Sequence, residues 1–179
     1  DNLYALFLYR ISGFVINGTD NLLISYFFGV VVVGIYSNYL LIISTITTVV
    51  SYLFYSITAS VGNLVNSKES ERKYLIFRVL NFTNFWIYGW CSVCLLMLIN
   101  PLIIMWLGED FLLTQMIVLT IILNFFTSGM QNASTTFRET TGLFKKGKYR
   151  PLFAAIINIT TSIYLAKNIG LAGIFLGTV

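Results

Sequence analysis

The chain has 179 residues, 57% of them hydrophobic and only 10% charged, and its mean hydropathy is +0.82. A water-soluble domain carries about 25% charged residues, so this is the composition of a membrane protein. The formal net charge is +4, but the basic residues punctuate apolar runs instead of forming the polar basic face that nucleic acid requires; there is also no histidine, which removes the commonest metal ligand and the readiest proton switch.

The first apolar run extends from Leu3 to Gly29, and at about 1.5 Å per residue it can cross a hydrocarbon core of about 30 Å. Asn17-Gly18-Thr19-Asp20-Asn21 interrupts it and places Asp20 near mid-membrane. A carboxylate at that depth costs about 2.5–3.5 kcal/mol, which a chain tolerates when the group meets a polar cavity or a partner. Arg10, Asn17, Asn21 and Ser25 follow at spacings of seven, four and four, with Gly13 and Asp20 beside them, so they form one polar stripe on an otherwise apolar helix. The stripe predicts one wall of a water-accessible cavity.

A short connection is expected at Gly29–Gly34, then a second helix from about Ile35 to Asn66, too long for one perpendicular span. Its many Ser and Thr hydroxyls can bond back to their own helix or across to neighbours. The charged stretch Lys68-Glu69-Ser70-Glu71-Arg72-Lys73 precedes a third helix, from about Tyr74 to Ile99. Asn100-Pro101 is expected to stop it, because proline has no N–H to donate. Residues 101–110 then read as an interfacial turn, with Trp106 at headgroup depth. A fourth helix runs from about Phe111 to Thr140, and a basic loop, Lys145 to Arg150, leads to Pro151 at the start of a fifth that reaches Lys167. Asn168-Ile169-Gly170 turns the chain and a sixth helix begins near Leu171. The expected fold is therefore all-α: a polytopic membrane helix bundle of five complete transmembrane helices and the start of a sixth.

Topology follows from charge. If the first helix starts in the cytoplasm, loops 66–78 and 138–150 are cytoplasmic as well. Ten of the 11 Lys and Arg residues then fall on that side, with Lys167 alone on the other beside Glu109 and Asp110. Positive-inside asymmetry agrees with the helix count.

No phosphate-binding glycine loop, Ser-His-Asp set or paired-carboxylate constellation is present, and most hydrolytic mechanisms lack their usual base here. The expectation is a protein that is not an enzyme, with no catalytic residues, no metal site and no cofactor, and no nucleic-acid partner. Cys91 and Cys94 lie in an apolar segment and read as free thiols, since two thiols alone do not make a zinc site. Glycosylation-type triplets at Asn17, Asn81, Asn132 and Asn158 all fall in expected helices and carry no meaning.

The polar residues within the membrane admit two readings each. Asp20, with Asn17 and Asn21, either binds a coupling cation, a proton or a polar substrate, or makes an interhelical hydrogen bond or an ion pair with Arg10 or Arg138. Asn38, at the expected start of helix two, and Asn158 line a cavity or join helices. Arg138 and Glu139, at the cytoplasmic end of helix four, either grip a phosphate-bearing headgroup or snorkel to the interface, and Arg78 has the same two readings.

Asn17-Gly18-Thr19-Asp20-Asn21-Leu22-Leu23-Ile24-Ser25, followed by Val33-Gly34-Ile35-Tyr36-Ser37-Asn38-Tyr39, resembles bacterial polysaccharide repeat-unit flippases. These serve O-antigen, capsule and exopolysaccharide synthesis and form the polysaccharide-transporter branch of the multidrug/oligosaccharidyl-lipid/polysaccharide exporter superfamily. Ala59-Ser60-Val61-Gly62-Asn63-Leu64, Trp106-Leu107-Gly108, Phe137-Arg138-Glu139, Tyr149-Arg150-Pro151, Ile157-Asn158 and Gly173-Ile174-Phe175-Leu176-Gly177-Thr178 extend the likeness nearly end to end. The resemblance implies two six-helix lobes around a central cavity, with residues 1–179 as a single transmembrane lobe, the second, of a longer chain whose other lobe is its partner. It further implies translocation of undecaprenyl-diphosphate-linked oligosaccharide across the bacterial inner membrane by alternating access, with Na+ or H+ as a coupling ion. Arg10, Arg78 and Arg138 are the only candidates here for holding the diphosphate. The alternatives are a multidrug/cation antiporter of the same superfamily, a membrane-embedded glycan polymerase or transferase, and a purely structural membrane subunit.

Overall fold

A computed structural model describes residue 7 and residues 18–65, 70–141 and 150–178, the side chains of 57–65, 70, 72, 73, 136–141 and 150 excepted. The described residues contain helices and no strand. Helix α1 is described over residues 18–28. It is followed by α2 (Val30–Val65), α3 (Ser70–Leu107), a single 3-10 turn (Glu109–Phe111), α4 (Gln115–Thr141), α5 (Arg150–Ile169) and α6 (Leu171–Thr178). Among these, four stretches are long and apolar enough to cross a membrane: Val30–Ser56, Tyr74–Leu107, Gln115–Thr135 and Pro151–Ile169. The chain has the architecture of a multi-pass, all-helical membrane protein.

Four boundaries depart from the sequence expectation. The connection after α1 is the single residue Gly29, not the stretch Gly29–Gly34, and α2 begins at once with Val30. Gly29 has φ 88°, a left-handed value that glycine adopts without a Cβ penalty, and its N–H caps the Ser25 carbonyl at 3.1 Å. Four valines read as a linker because an apolar run carries no mark of where a helix starts.

The second departure is at Pro101, which does not end α3; the helix continues through it to Leu107. A proline removes one rung of the helical ladder, yet it is tolerated in membrane helices when neighbours supply polar partners. Here the Tyr39 hydroxyl donates to Asn100 Oδ1 at 3.0 Å and accepts the Leu113 N–H at 3.0 Å. One tyrosine thus ties α2 to the residue before the proline and to the loop before α4. Gly108, at φ 97°, is what ends α3. Trp106 lies in the last turn of that helix, half exposed, not in a loop. Third, α4 starts at Gln115 instead of Phe111, because residues 109–111 form the separate 3-10 turn. Fourth, α3 starts at Ser70 instead of Tyr74, so residues 70–78 of the expected loop 66–78 are helical, as are 138–141 of the expected loop 138–150.

One apolar core draws on every α-helix, with Ile24 from α1, Tyr39 and Phe54 from α2, Ile99 and Ile103 from α3, Val118 and Phe125 from α4, Ala166 from α5 and Phe175 from α6. Bulky side chains are left exposed around it, among them Trp86, Trp90, Met97 and Met105, as expected of helices that face lipid. Between spans, close backbone approach and side-chain hydrogen bonds replace the hydrophobic drive of soluble folding. The Ser and Thr hydroxyls of α2 bond back to their own helix, as at Ser44, Thr45, Thr47, Thr48 and Ser56. Cys91 and Cys94 are free thiols, both half-buried.

Candidate functional site

Helices α5 and α6 form an antiparallel hairpin around Gly170, whose φ of 76° permits the reversal and whose N–H caps the Ala166 carbonyl at 3.1 Å. Gly173 and Gly177, four residues apart, press α6 onto α5. A Cβ on Gly173 would overlap the Leu165 backbone, and one on Gly177 would overlap Ser162 Oγ and stand 2.6 Å from the Ser162 nitrogen. Small residues at this spacing let two helix backbones come together in a membrane. Their closeness brings polar side chains of one helix within reach of the backbone of the other. Ser162, fully buried, donates from Oγ to the Ile174 carbonyl at 3.2 Å, and Thr161 donates to the Gly177 carbonyl at 3.3 Å.

The hairpin delivers Thr178 to Asp20. Thr178 Oγ1 lies 3.0 Å from Asp20 Oδ1 and 3.2 Å from Oδ2, so its proton is shared across both carboxylate oxygens. Asn158 Nδ2 in turn donates to Thr178 Oγ1 at 2.9 Å and to the Gly177 carbonyl at 3.2 Å. Three helices therefore meet in one polar chain running from Asn158 of α5 through Thr178 of α6 to Asp20 of α1. Asp20 and Asn158 are each 6% exposed, and Asn158 Oδ1 is enclosed without a hydrogen-bond partner. Tyr36 of α2 lies within electrostatic reach of the Asp20 carboxylate. Its ring lies 4.8 Å from that of Phe175, tilted by 42°.

The depth of the cluster fits its burial. Asp20 stands nine residues before the Gly29 turn and Thr178 eight after the Gly170 turn, so each lies about 12–14 Å along its helix from a glycine turn.

The stripe expected to line an open cavity is, in its described part, packed into the lobe. Asp20 meets Thr178, which is the interhelical hydrogen bond of the second reading. Asn21 beside it is half-buried, with Oδ1 enclosed and unpartnered, and Ser25 is half-buried. Asn17 and Arg10 lie outside the described residues. Asn38 is not at a helix start; it sits two turns into α2 and donates to the Gly34 carbonyl of its own helix at 3.1 Å. The structure joins Asn158 to Asp20 and leaves Asn38 apart from both. Arg138 and Glu139 belong to α4, but their side chains lie outside the described residues. Asn81, Asn132 and Asn158 are helical, as expected, and Asn17 is not described.

Sequence reasoning missed Thr178, which mediates the whole chain. Its signal was available in Gly173-x-x-x-Gly177, a close-packing spacing that ends one residue before a hydroxyl. Also missed was the polar seam between α3 and α4. There Asn84 donates to the Gly129 carbonyl at 2.7 Å, and Asn132 donates to the Tyr88 hydroxyl at 2.7 Å.

Taken as electron-pair donors, the cluster offers oxygens: the Asp20 carboxylate, Thr178 Oγ1 and the carbonyls of Ile174 and Gly177, with Asn158 Nδ2 holding Thr178 Oγ1 and the Gly177 carbonyl in place. Such a set suits a hard cation or a proton rather than a soft transition metal. A single carboxylate balances a single positive charge. Among the described residues, no group of three His, Cys, Asp or Glu side chains comes together. Compared with protein-family models, with characterised proteins and with solved structures, the chain finds no match.

Proposed function

We propose that this chain is one lobe, the second, of an alternating-access carrier that moves undecaprenyl-diphosphate-linked oligosaccharide across the bacterial inner membrane, coupled to a monovalent cation at Asp20. The observation that carries the reading is the buried chain Asn158–Thr178–Asp20 at the junction of α1, α5 and α6. Charged groups inside a bilayer are expensive and are characteristic of ion and proton pathways in transporters. Transporters also build such sites where helix backbones and polar side chains converge near the midplane. The nature of the cargo rests on the resemblance in the Asn17–Tyr39 segment and the Gly173–Thr178 segment.

In this reading the lobe comprises five complete spans and the start of a sixth, α6, and the α2–α3 and α4–α5 junctions, around residues 66–78 and 138–150, face the cytoplasm. Asp20 supplies the one negative charge, Thr178 supplies a neutral oxygen that Asn158 Nδ2 holds in place, and Tyr36 with Phe175 excludes water from one side. Because the carboxylate belongs to α1 while Thr178 and Asn158 belong to the α5–α6 hairpin, occupancy of the site sets how tightly those elements are held together. A differential affinity of that kind is what a bound ion needs in order to bias one conformation over another. A buried carboxylate beside two aromatic rings also suits an organic cation, which is the basis for a second reading as a multidrug antiporter of the same superfamily.

Complementation tests the reading. The full-length protein, placed in a bacterium lacking its repeat-unit flippase, is expected to restore surface polysaccharide. Asp20→Asn should insert normally and lower that restoration by about tenfold, within the range of coupling free energies seen between linked sites. Normal restoration by Asp20→Asn removes the role assigned to the carboxylate. Inserted protein that restores nothing but exports cationic dyes establishes the antiporter instead.

A further inference from the structure

At the start of α3 a groove of about 670 Å3 opens on the outside of the lobe, lined by Tyr74, Arg78, Asn81, Phe82, Phe85 and, from α4, Met130. That volume lies in the range of about 300–1,000 Å3 typical of small-molecule sites. Tyr74, Arg78 and Asn81 follow at spacings of four and three, so they share one face of the helix, and Phe82 and Phe85 continue that face. The groove is therefore polar at one end and aromatic along the rest.

The two ends lie at different depths. Tyr74 opens the apolar span Tyr74–Leu107. Residues 74–81 cover its first roughly 10 Å, the level of lipid headgroups. Phe82, Phe85 and Trp86 lie beyond, each at least half exposed, at the level of the acyl chains. Arg78 is exposed, and neither it nor Tyr74 or Asn81 has a hydrogen-bond or ion-pair partner among the described residues. An unpaired guanidinium next to an amide and a phenol is a set of donors aimed at an anion, and the guanidinium fork matches phosphate in particular. Just before it in sequence stand Lys68, Arg72 and Lys73, whose charge Glu69 and Glu71 offset only in part. An apolar groove alone would accept any hydrocarbon. The added cation selects an amphiphile with a negative head.

We propose that this groove holds one acidic phospholipid of the surrounding bilayer, its phosphate on Arg78 and one acyl chain along Phe82, Phe85 and Met130. The site is separate from the Asp20 cluster and does not depend on what the carrier moves. A lipid held there lies across α3 and α4 and fills the groove that the two helices leave between them.

Native mass spectrometry of the purified full-length protein, loaded with equal amounts of phosphatidylglycerol and phosphatidylcholine, tests it. Wild type should retain one phosphatidylglycerol in preference to phosphatidylcholine by about fivefold, the ratio corresponding to about 1 kcal/mol per basic residue at a membrane surface. Arg78→Gln should bring that ratio close to one, Arg78→Lys should leave it between the two, and Phe82→Ala should weaken retention of both lipids. Equal retention of the two lipids by wild type overturns the proposal, as does an unchanged preference in Arg78→Gln. So does displacement of the phospholipid by inorganic phosphate, which would make the site one for free anions. Displacement by undecaprenyl phosphate at lower concentration than phosphatidylglycerol also overturns it, by assigning the groove to the carried lipid.

Discussion

Two seams in this lobe are made from the same parts. Where α3 meets α4, Asn84 donates to the carbonyl of Gly129, a glycine that lies under the Tyr88 ring. Where α5 meets α6, Asn158 donates to the carbonyl of Gly177, a glycine that lies against Ser162. In both, the asparagine is buried and its Oδ1 is unpartnered. The difference is what stands next. The α3–α4 seam continues into neutral groups, Tyr88 and Asn132, whereas the α5–α6 seam continues through Thr178 into a carboxylate. Close packing around a glycine therefore does not make a site by itself. It becomes one where the seam delivers polar groups to a charge.

The largest expected effects come from filling the glycines. Gly177→Ala places a methyl group against the Ser162 backbone, which cannot swing aside, and overpacking of this kind costs about 1–3 kcal/mol. Gly129→Ala meets the Tyr88 ring, a side chain that can move at the expense of its bond from Asn132, so its loss should be smaller. Gly89→Ala is the control: its nearest neighbour would be Phe126 Cε2 at 3.9 Å, and it should gain about 0.5–1 kcal/mol from helix propensity. Thermal unfolding in detergent ranks the three. Equal losses at Gly177 and Gly129 would erase the proposed contrast between a backbone and a side-chain neighbour.

The asparagines separate function from stability. Asn158→Leu and Asn84→Leu each remove a buried side chain that bonds across helices, and bonds of this kind in membranes average about 0.6 kcal/mol, with a maximum of about 1.7. Their melting shifts should be similar. Their transport should not be: Asn158→Leu is expected to lose the cation dependence of polysaccharide restoration, while Asn84→Leu keeps it. If both variants retain the same cation dependence, Asn158 has no place in the site.

Much of the architecture was legible because the apolar runs of a membrane protein are long and their interruptions are few. The charged stretch at 68–73 and the basic loop at 145–150 marked where α2 gives way to α3 and α4 to α5. Pro101 misled because the rule that proline ends a helix belongs to water, where freed backbone groups find solvent; here α3 continues through it, packed against α2 and α4. The Val30–Val33 run misled because four valines fit a helix, a strand or a buried connection equally well. At the site, Asp20 and Asn158 stood out as polar groups in apolar surroundings. Thr178 did not, since threonine is common throughout this chain and its pairing with Asp20 spans 158 positions. That contact exists only after Gly173 and Gly177 have closed the hairpin.

The smallest effect expected is at Tyr88, and it distinguishes the two seams most sharply. Tyr88→Phe removes the hydroxyl that accepts from Asn132 while leaving the ring on Phe125 at 5.1 Å, so the loss should be near the membrane average of about 0.6 kcal/mol. Combining it with Asn132→Ala in a double-mutant cycle should give a coupling of similar size in unfolding and none in transport. The matching cycle of Asp20→Asn with Thr178→Val should behave in the opposite way. A neutral asparagine in place of the carboxylate can still accept from Thr178, so stability changes little, while both variants fail in transport by the same route and combine non-additively. If the Tyr88–Asn132 pair couples in transport as strongly as Asp20–Thr178 does, then coupling runs through the whole lobe and the charge at α1 has no special standing.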